Sequence, residues 1–320
     1  MSRTAVILVA LACIGYASAG IFGGSKVECG SSTSSKSFSL VNPSTPPRTC
    51  NYKVDAYSSY VCQLRIEFDM QLAQPSIPNA ANGLEYPECI DDYLEIGGYK
   101  FCGRESNQHI YIPFNRTAGE KSVPIKIVSA VRSGGSHLPQ LSWDIRVEQL
   151  ECPKGSPVRA LPIAERASFT DGWWIAPTGC LQYFPDSTGT VQSFNFNNGQ
   201  GTYQGNLDYA ICFKRETDTE GIEFDVEAFE LGYTAGISGE IGTACRPNYK
   251  NSGMNEDRLA IPDGELDSED INASLFCGSS LAGQHVTSRT PGPIVLVFHS
   301  DKIYNPDIPE RGFSFDYNVL

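Results

Sequence analysis

An all-β fold built as antiparallel sandwiches is predicted for this chain by three observations. Apolar residues recur with period two over many short stretches, which puts alternate side chains on one face of a strand. Clusters of Gly, Pro, Asn and Ser separate these stretches, and the chain holds 30 glycines and 20 prolines. No window carries an amphipathic helix of three turns. Short strands punctuated by turn signals in this way are the pattern of β-sandwiches.

In chain order, residues 1–19 read as a secretory signal. Arg3 supplies the positive start, Ala5 to Ile14 the apolar core, and Ala17-Ser-Ala19 the small residues of a peptidase site. That run is shorter than the roughly 20 residues a bilayer span requires. No later stretch reads as a stop-transfer helix, and the closing residues alternate instead of forming an anchor tail. Ser31 to Ser39 is a serine-rich loop. Tyr60-Val-Cys-Gln-Leu-Arg-Ile-Glu-Phe68 is the first clear strand, with Cys62, Leu64, Ile66 and Phe68 on one face. Pro124 to Val128 and Leu141 to Val147 alternate similarly. Glu151-Cys-Pro-Lys-Gly-Ser-Pro157 is turn-rich and reads as a boundary. Beyond it, Thr190 to Phe196, Tyr209 to Phe213 and Ile222 to Phe229 are further strands. Ile294 to Phe298 and Phe313 to Tyr317 close the chain, separated by His299-Ser-Asp301 and a loop ending in Arg311-Gly312.

This length holds two domains of about 150 residues each. The expected division is a signal at 1–19, a first domain at 20–152, a linker at 153–169 and a second domain at 170–320. A weak repeat supports duplication. Cys89-Ile-Asp-Asp92-Tyr-Leu-Glu-Ile-Gly97 before Cys102-Gly103 parallels Asp257-Arg-Leu-Ala-Ile-Pro-Asp-Gly264 before Cys277-Gly278.

The formal charge is −13, one unit more negative once Arg3 leaves with the signal. Such a surface repels nucleic acid and anionic lipid. Of 11 cysteines, Cys13 lies in the signal. The remaining even set, in a secreted chain, points to disulfides without a free thiol. No two of them have the close spacing of a zinc site. Asn115-Arg-Thr117 and Asn272-Ala-Ser274 are glycan acceptor triplets.

Several of these residues together resemble a CUB domain: Cys89-x-x-Asp92, the short Leu-x-Ile strand, Cys102-Gly103, and in the second half Phe298-x-Ser-Asp301 followed by Gly312-Phe313. The mature chain is more narrowly similar to secreted arthropod CUB-domain proteins. Val61-Cys-Gln-Leu-Arg65, Leu72-Ala-Gln-Pro75, Asn107-Gln-His109, Trp143-x-Ile-x-Val-x-Gln149, Ala176-Pro-Thr-Gly-Cys-Leu-Gln-Tyr183 and Ser193-Phe-Asn-Phe196 carry that likeness. The resemblance implies two jelly-roll (CUB-like) sandwiches and an extracellular protein that acts by binding other proteins. It also implies pairing of Cys89 with Cys102, Cys180 with Cys212, Cys245 with Cys277, and Cys50 with Cys29. Cys62 and Cys152 are left for a bond outside the usual pattern, and the six cysteines of the first half admit other connectivities.

The family's calcium site uses an upstream Glu, the Asp of the Cys-x-x-Asp element and the Asp of Phe-x-Ser-Asp. Carried onto the second half, these are Glu240 (with Glu230 as rival), Asp257 and Asp301, and hard oxygen ligands from separate loops suit Ca²⁺. Solvated loop acids are the plain alternative. In the first half Asp92 is present, but Ile127-Val-Ser-Ala130 has no acid in the last position, so one calcium per chain is expected at most. A partner presenting Lys or Arg would suit that site.

Catalytic signatures are missing from the four histidines and the serines: no His-Glu-x-x-His, no Gly-x-Ser-x-Gly. His299 and Ser300 are neighbours on a strand and face opposite ways, so they form no relay. The expected function is therefore non-enzymatic binding, with a carbohydrate-binding protein or a divergent hydrolase as alternatives. Trp173 and Trp174 are candidate partner-binding aromatics or packing between the two halves.

Overall fold

The computed structural model describes residues 24–78, 86–114, 119–132, 137–152, 171–232, 241–245, 257–267, 271–304 and 307–320. The signal, the linker at 153–169, Asn115 and Glu240 lie outside the described residues.

The first half contributes β1 (Ser25–Val27), β2 (Ser32–Thr33), β3 (Ser37–Val41), β4 (Thr49–Asp55), β5 (Val61–Gln71), β6 (Tyr93–Ile96), β7 (Tyr99–Phe101), β8 (Arg104–Pro113), β9 (Ser122–Val128) and β10 (Ser142–Glu151). They form two five-stranded sheets, ordered β1-β3-β10-β5-β8 and β2-β4-β9-β6-β7. The period-two pattern explains the layering. Leu64, Ile66, Phe68 and Met70 of β5, Trp143, Ile145 and Val147 of β10, and Val123, Ile125 and Ile127 of β9 are all buried.

The second half contributes β11 (Cys180–Phe184), β12 (Thr188–Gln192), β13 (Leu207–Phe213), β14 (Ile222–Glu230), β15 (Arg258–Leu266), β16 (Ile271–Phe276), β17 (His285–Ser288), β18 (Ile294–Ser300) and β19 (Gly312–Val319). Here the layers are one continuous ladder, β11-β13-β18-β15-β17-β14-β19-β12, with β16 beside β15. The residues of β15 explain the continuity. Arg258 to Ala260 pair with β18, while Gly264 to Leu266 pair with β17. Between them Pro262 and Asp263 (φ 46°) interrupt the ladder, so β15 passes from one layer to the other.

Three details differ from the sequence reading. The stretch Ser31 to Ser39, read as a loop, carries β2 and the start of β3, where Phe38 is buried. Three strand pairs are parallel: β1 with β3, β2 with β4 and β11 with β13. Cys180 of β11 is bonded to Cys212 of β13, which holds that edge strand in place. In addition, the strand expected over Thr190 to Phe196 stops at Gln192. Asn195 adopts φ 57°, which extended backbone forbids, and a short 3-10 turn follows at Asn197–Gly199. Phe194 and Phe196 are still buried, but from a turn.

The five disulfides join Cys29 to Cys50, Cys62 to Cys152, Cys89 to Cys102, Cys180 to Cys212 and Cys245 to Cys277. Cys62–Cys152 ties the adjoining ends of β5 and β10, where Val61 faces Glu151.

The ladders stay within 25–151 or within 180–319, yet most buried side chains of both halves belong to one contiguous cluster, and a smaller one joins Tyr111 and Leu150 to Ile175 and Tyr183. An aromatic series carries the larger cluster across. Phe68 and Phe101 are 5.1 Å apart, Phe101 and Phe194 4.9 Å, Phe194 and Tyr209 5.1 Å, and Tyr209 and Phe298 5.3 Å between ring centroids.

Candidate functional site

Strand register brings three chain segments to one end of the second half. Arg258 faces His299 across β15 and β18, so Asp257, just before β15, lies opposite the end of β18 and next to Asp301. Leu207 faces Ser300 across β13 and β18, which brings the residues before β13 to the same end. The Asn206 amide donates to the Asp301 carbonyl at 2.6 Å.

Asp257 is the centre of this cluster and is 2% exposed. Its Oδ1 accepts from the Asp301 amide at 2.7 Å, and its Oδ2 accepts from the Tyr203 hydroxyl at 2.6 Å. The Tyr203 oxygen in turn accepts from the Gly232 amide at 2.7 Å. Asp301 Oδ1 accepts from the Ile303 amide at 2.7 Å. Burial pushes the Asp257 carboxyl up to about 7, and the charge of Asp301 adds to that. Burial likewise raises the Tyr203 phenol well above its usual range, helped by the charges of Asp257 and Glu310. Gly205 is required by crowding here: a Cβ would meet the Asp301 carbonyl oxygen at 2.7 Å and Tyr86 Cδ2 at 2.6 Å.

The structure thus unites Asp257 and Asp301 of the expected ligand set. The third, Glu240, lies outside the described residues, and its rival Glu230 pairs with Arg311 at 3.2 Å. Among the described residues no group of three or more His, Cys, Asp or Glu side chains is arranged to hold a metal ion. The donors present are nonetheless all oxygens, two of them carboxylates, with one carboxyl destabilised as an anion by burial beside another. That chemistry fits a hard divalent cation. Sequence reasoning missed Tyr203, because nothing local in Gly201-Thr-Tyr-Gln-Gly205 marks it as a partner of Asp257.

The corresponding place in the first half is built on the same register. Tyr93 faces Val128 across β6 and β9, which sets Asp92 beside Ala130. The Ala130 amide donates to Asp92 Oδ1 at 2.9 Å, as the Asp301 amide does to Asp257, and the Ala73 amide donates to Oδ2 at 2.8 Å. A side chain completes the set. Arg132 Nη1 donates to Oδ1 at 3.1 Å and Nη2 to Oδ2 at 2.5 Å, a bidentate pair on a carboxylate that is 0% exposed. A second pair of bonds, from Nε to the Pro139 carbonyl (3.0 Å) and from Nη1 to the Ala130 carbonyl (3.2 Å), fixes the guanidinium. The countercharge of Asp92 is internal.

The two tryptophans sit at the junction of the halves, in a turn before β11. The Arg65 guanidinium lies 4.8 Å from the Trp174 ring centroid, and Lys214 Nζ lies 2.8 Å from that of Trp173. Trp173 remains 47% exposed. Around them Asp171 accepts from Lys36 Nζ (2.8 Å) and the Glu151 amide (3.0 Å), and Gln63 exchanges two hydrogen bonds with the backbone of Ala176. His109 Nε2 lies 2.8 Å from the Tyr183 carbonyl, and burial, then the charge of Arg65, push its pKa down to about 4.

The other chemically loaded residues separate. His299 bonds Asp208 at 2.6 Å, whereas the Ser300 hydroxyl donates to the Gln204 carbonyl at 2.8 Å, so no Ser-His pair forms there. Asn272 and Ser274 of the second glycan triplet are exposed on β16.

Residues 177–320 match the family model of the animal CUB domain. No curated protein matches the chain. Among solved structures, the CUB1-EGF-CUB2 domains of rat MASP-1 are similar at 13% identity and a TM-score of 0.30, over 92% of this chain and 100% of that one. The corresponding human MASP-1/3 domains give 12% identity and 0.29, over 89% of this chain and 100% of theirs. The extracellular region of zebrafish Gpr126/Adgrg6 gives 12% and 0.24, over 92% of this chain and 36% of its own length. Scores at this level do not establish a common arrangement over the whole chain.

Proposed function

We propose that this chain is a secreted binding protein made of two CUB-like modules, 20–152 and 170–320, that recognises an extracellular protein through a single calcium-ordered loop end in its second module. One observation carries the reading: Asp257 and Asp301 converge with Tyr203 at a strand end inside the segment that matches the animal CUB domain. Asp257, Asp301 and Glu240 are the side chains that would hold Ca²⁺. The ion would supply positive charge where a buried carboxyl is otherwise disfavoured as an anion. Asp257 orients the loop that follows β18 through the Asp301 amide, and Tyr203 ties in the chain that follows β14 through the Gly232 amide.

The excess of acidic residues favours a partner that presents Lys or Arg. Five disulfides, the signal-like start and the exposed Asn272 triplet are consistent with an extracellular life, with Asn115 as a second glycan acceptor. No helix among the described residues is long and apolar enough to cross a membrane. The direct test compares the full secreted chain in calcium and in EDTA. Melting temperature and capture of a native extracellular partner should both drop on chelation; if neither changes, the calcium reading is wrong.

A further inference from the structure

A second feature lies away from the loop end, at the junction of the halves. A cleft of about 460 Å³ opens between β8 and the segment running from β12 into the 3-10 turn. That is the size of ordinary small-molecule sites. Its lining departs from the character of the chain. Among 37 acidic residues only Glu105 lines it, 2% exposed, with burial pushing its carboxyl well above the usual range. Arg104 is the single basic residue of the lining.

The remaining polar lining is neutral, and the Ser106 and Thr190 hydroxyls in it donate outward to Asp69 (3.5 Å) and Asp316 (2.5 Å). Gln108 and Gln192 are fixed in the walls. Gln108 Nε2 donates to the carbonyls of Gln192 (3.3 Å) and Ser193 (3.2 Å), its Oε1 accepts from Gln182 (3.0 Å), and Gln192 Nε2 donates to Ser314 Oγ (3.1 Å). By contrast, the side-chain amides of Asn107, Asn197 and Asn198 make no hydrogen bond among the described residues. These three asparagines hold φ of 60°, 45° and 54°, in the left-handed region that asparagine enters more readily than other non-glycine residues. Phe184 and Phe196 add apolar surface to the lining.

We propose that this cleft binds a neutral saccharide, held by the amides of Asn107, Asn197 and Asn198 against Phe184 and Phe196. Each amide both donates and accepts, as does each sugar hydroxyl, so the two sets satisfy one another. An anionic ligand would find one arginine in a strongly acidic chain, and a basic ligand would find one carboxyl in the lining, buried and disfavoured as an anion. A purely apolar ligand would strand three amides. An extended peptide adding to the edge of β12 is the competing occupant, but the Gln192 carbonyl at that edge is already bonded to Gln108. The inference does not depend on calcium.

The test uses the full secreted chain on immobilised β-glucan, chitin and mannan, with heparin as the anionic control. Asn198→Gly removes an amide while relieving its backbone, and Thr190→Tyr fills the cleft from an exposed strand position; Asn107→Gly replaces either if melting shifts. The expected result is retention on at least one neutral polysaccharide, competed by its soluble oligosaccharide and weakened about tenfold by both variants at unchanged melting temperature. Three results overturn it: no retention on any neutral polymer, retention on heparin alone, or binding that both variants leave intact. Displacement by an unrelated extended peptide and not by the oligosaccharide would assign the cleft to peptide instead.

Discussion

Replacing Arg132 by Met should destabilise the first half far more than a loop arginine ordinarily does. Asp92 is 0% exposed and receives four hydrogen bonds, from the amides of Ala73 and Ala130 and from Nη1 and Nη2 of Arg132. The substitution removes the last two together with the only cation bonded to Asp92 among the described residues, leaving a buried carboxylate on two backbone donors. Breaking a buried ion pair from one side costs about 3–5 kcal/mol. The Arg132 side chain is 25% exposed, so water reaches the vacated position and the lower end, about 3 kcal/mol, applies. At roughly 2–4 °C per kcal/mol for a unit of this size, the melting temperature should fall by about 6–12 °C. Urea unfolding followed by tryptophan fluorescence measures it directly, and a cycle with Asp92→Asn isolates the pair. A loss below about 0.5 kcal/mol, the range of ordinary surface changes, would refute the internal-cation argument.

Other outcomes follow from the same structure. Replacing Cys62 and Cys152 together by Ser opens a loop of sequence separation 90 and should cost about 2–5 kcal/mol in urea unfolding. His109 has its pKa pushed down to about 4, so the unfolded chain takes up this proton first as pH falls. Its contribution to stability is therefore complete above about pH 6.5 and is lost toward pH 4, and His109→Gln should flatten the decline. Glu105, raised by burial, acts in the opposite sense, so the informative quantity is the difference between wild type and His109→Gln across that range. Gly205→Ala should displace the Asp301 carbonyl and reduce calcium-dependent stabilisation, read as a smaller melting shift on adding Ca²⁺.

The strands were legible because alternation is a local signal. Cys62 to Phe68 and Leu141 to Val147 declare their inward faces without reference to the rest of the chain. Asp257 and Asp301 were legible through a family resemblance, and register explains why they meet: Arg258 opposite His299 leaves the two acids at one strand end. What sequence could not give is what only three dimensions bring together. Phe194 and Phe196 looked like strand residues because a buried turn can carry the same alternation, and the left-handed Asn195 that ends the strand has no unique sequence mark. Arg132 lies 40 positions from Asp92, and nothing in its neighbourhood marks it as that acid's partner. Tyr203 is hidden in the same way. The cleft at the junction was invisible for a further reason: its character comes from a lining that holds one acid and one base in an otherwise acidic chain, which composition along the chain does not reveal.

The most direct measurement of the central claim is a calorimetric calcium titration of the full secreted chain, alongside Asp301→Asn and Arg132→Met. The account predicts one calcium per chain, abolished by Asp301→Asn and still present in Arg132→Met, with the ion raising the melting temperature. No calcium bound, two bound to the wild-type chain, or binding that survives Asp301→Asn would contradict it.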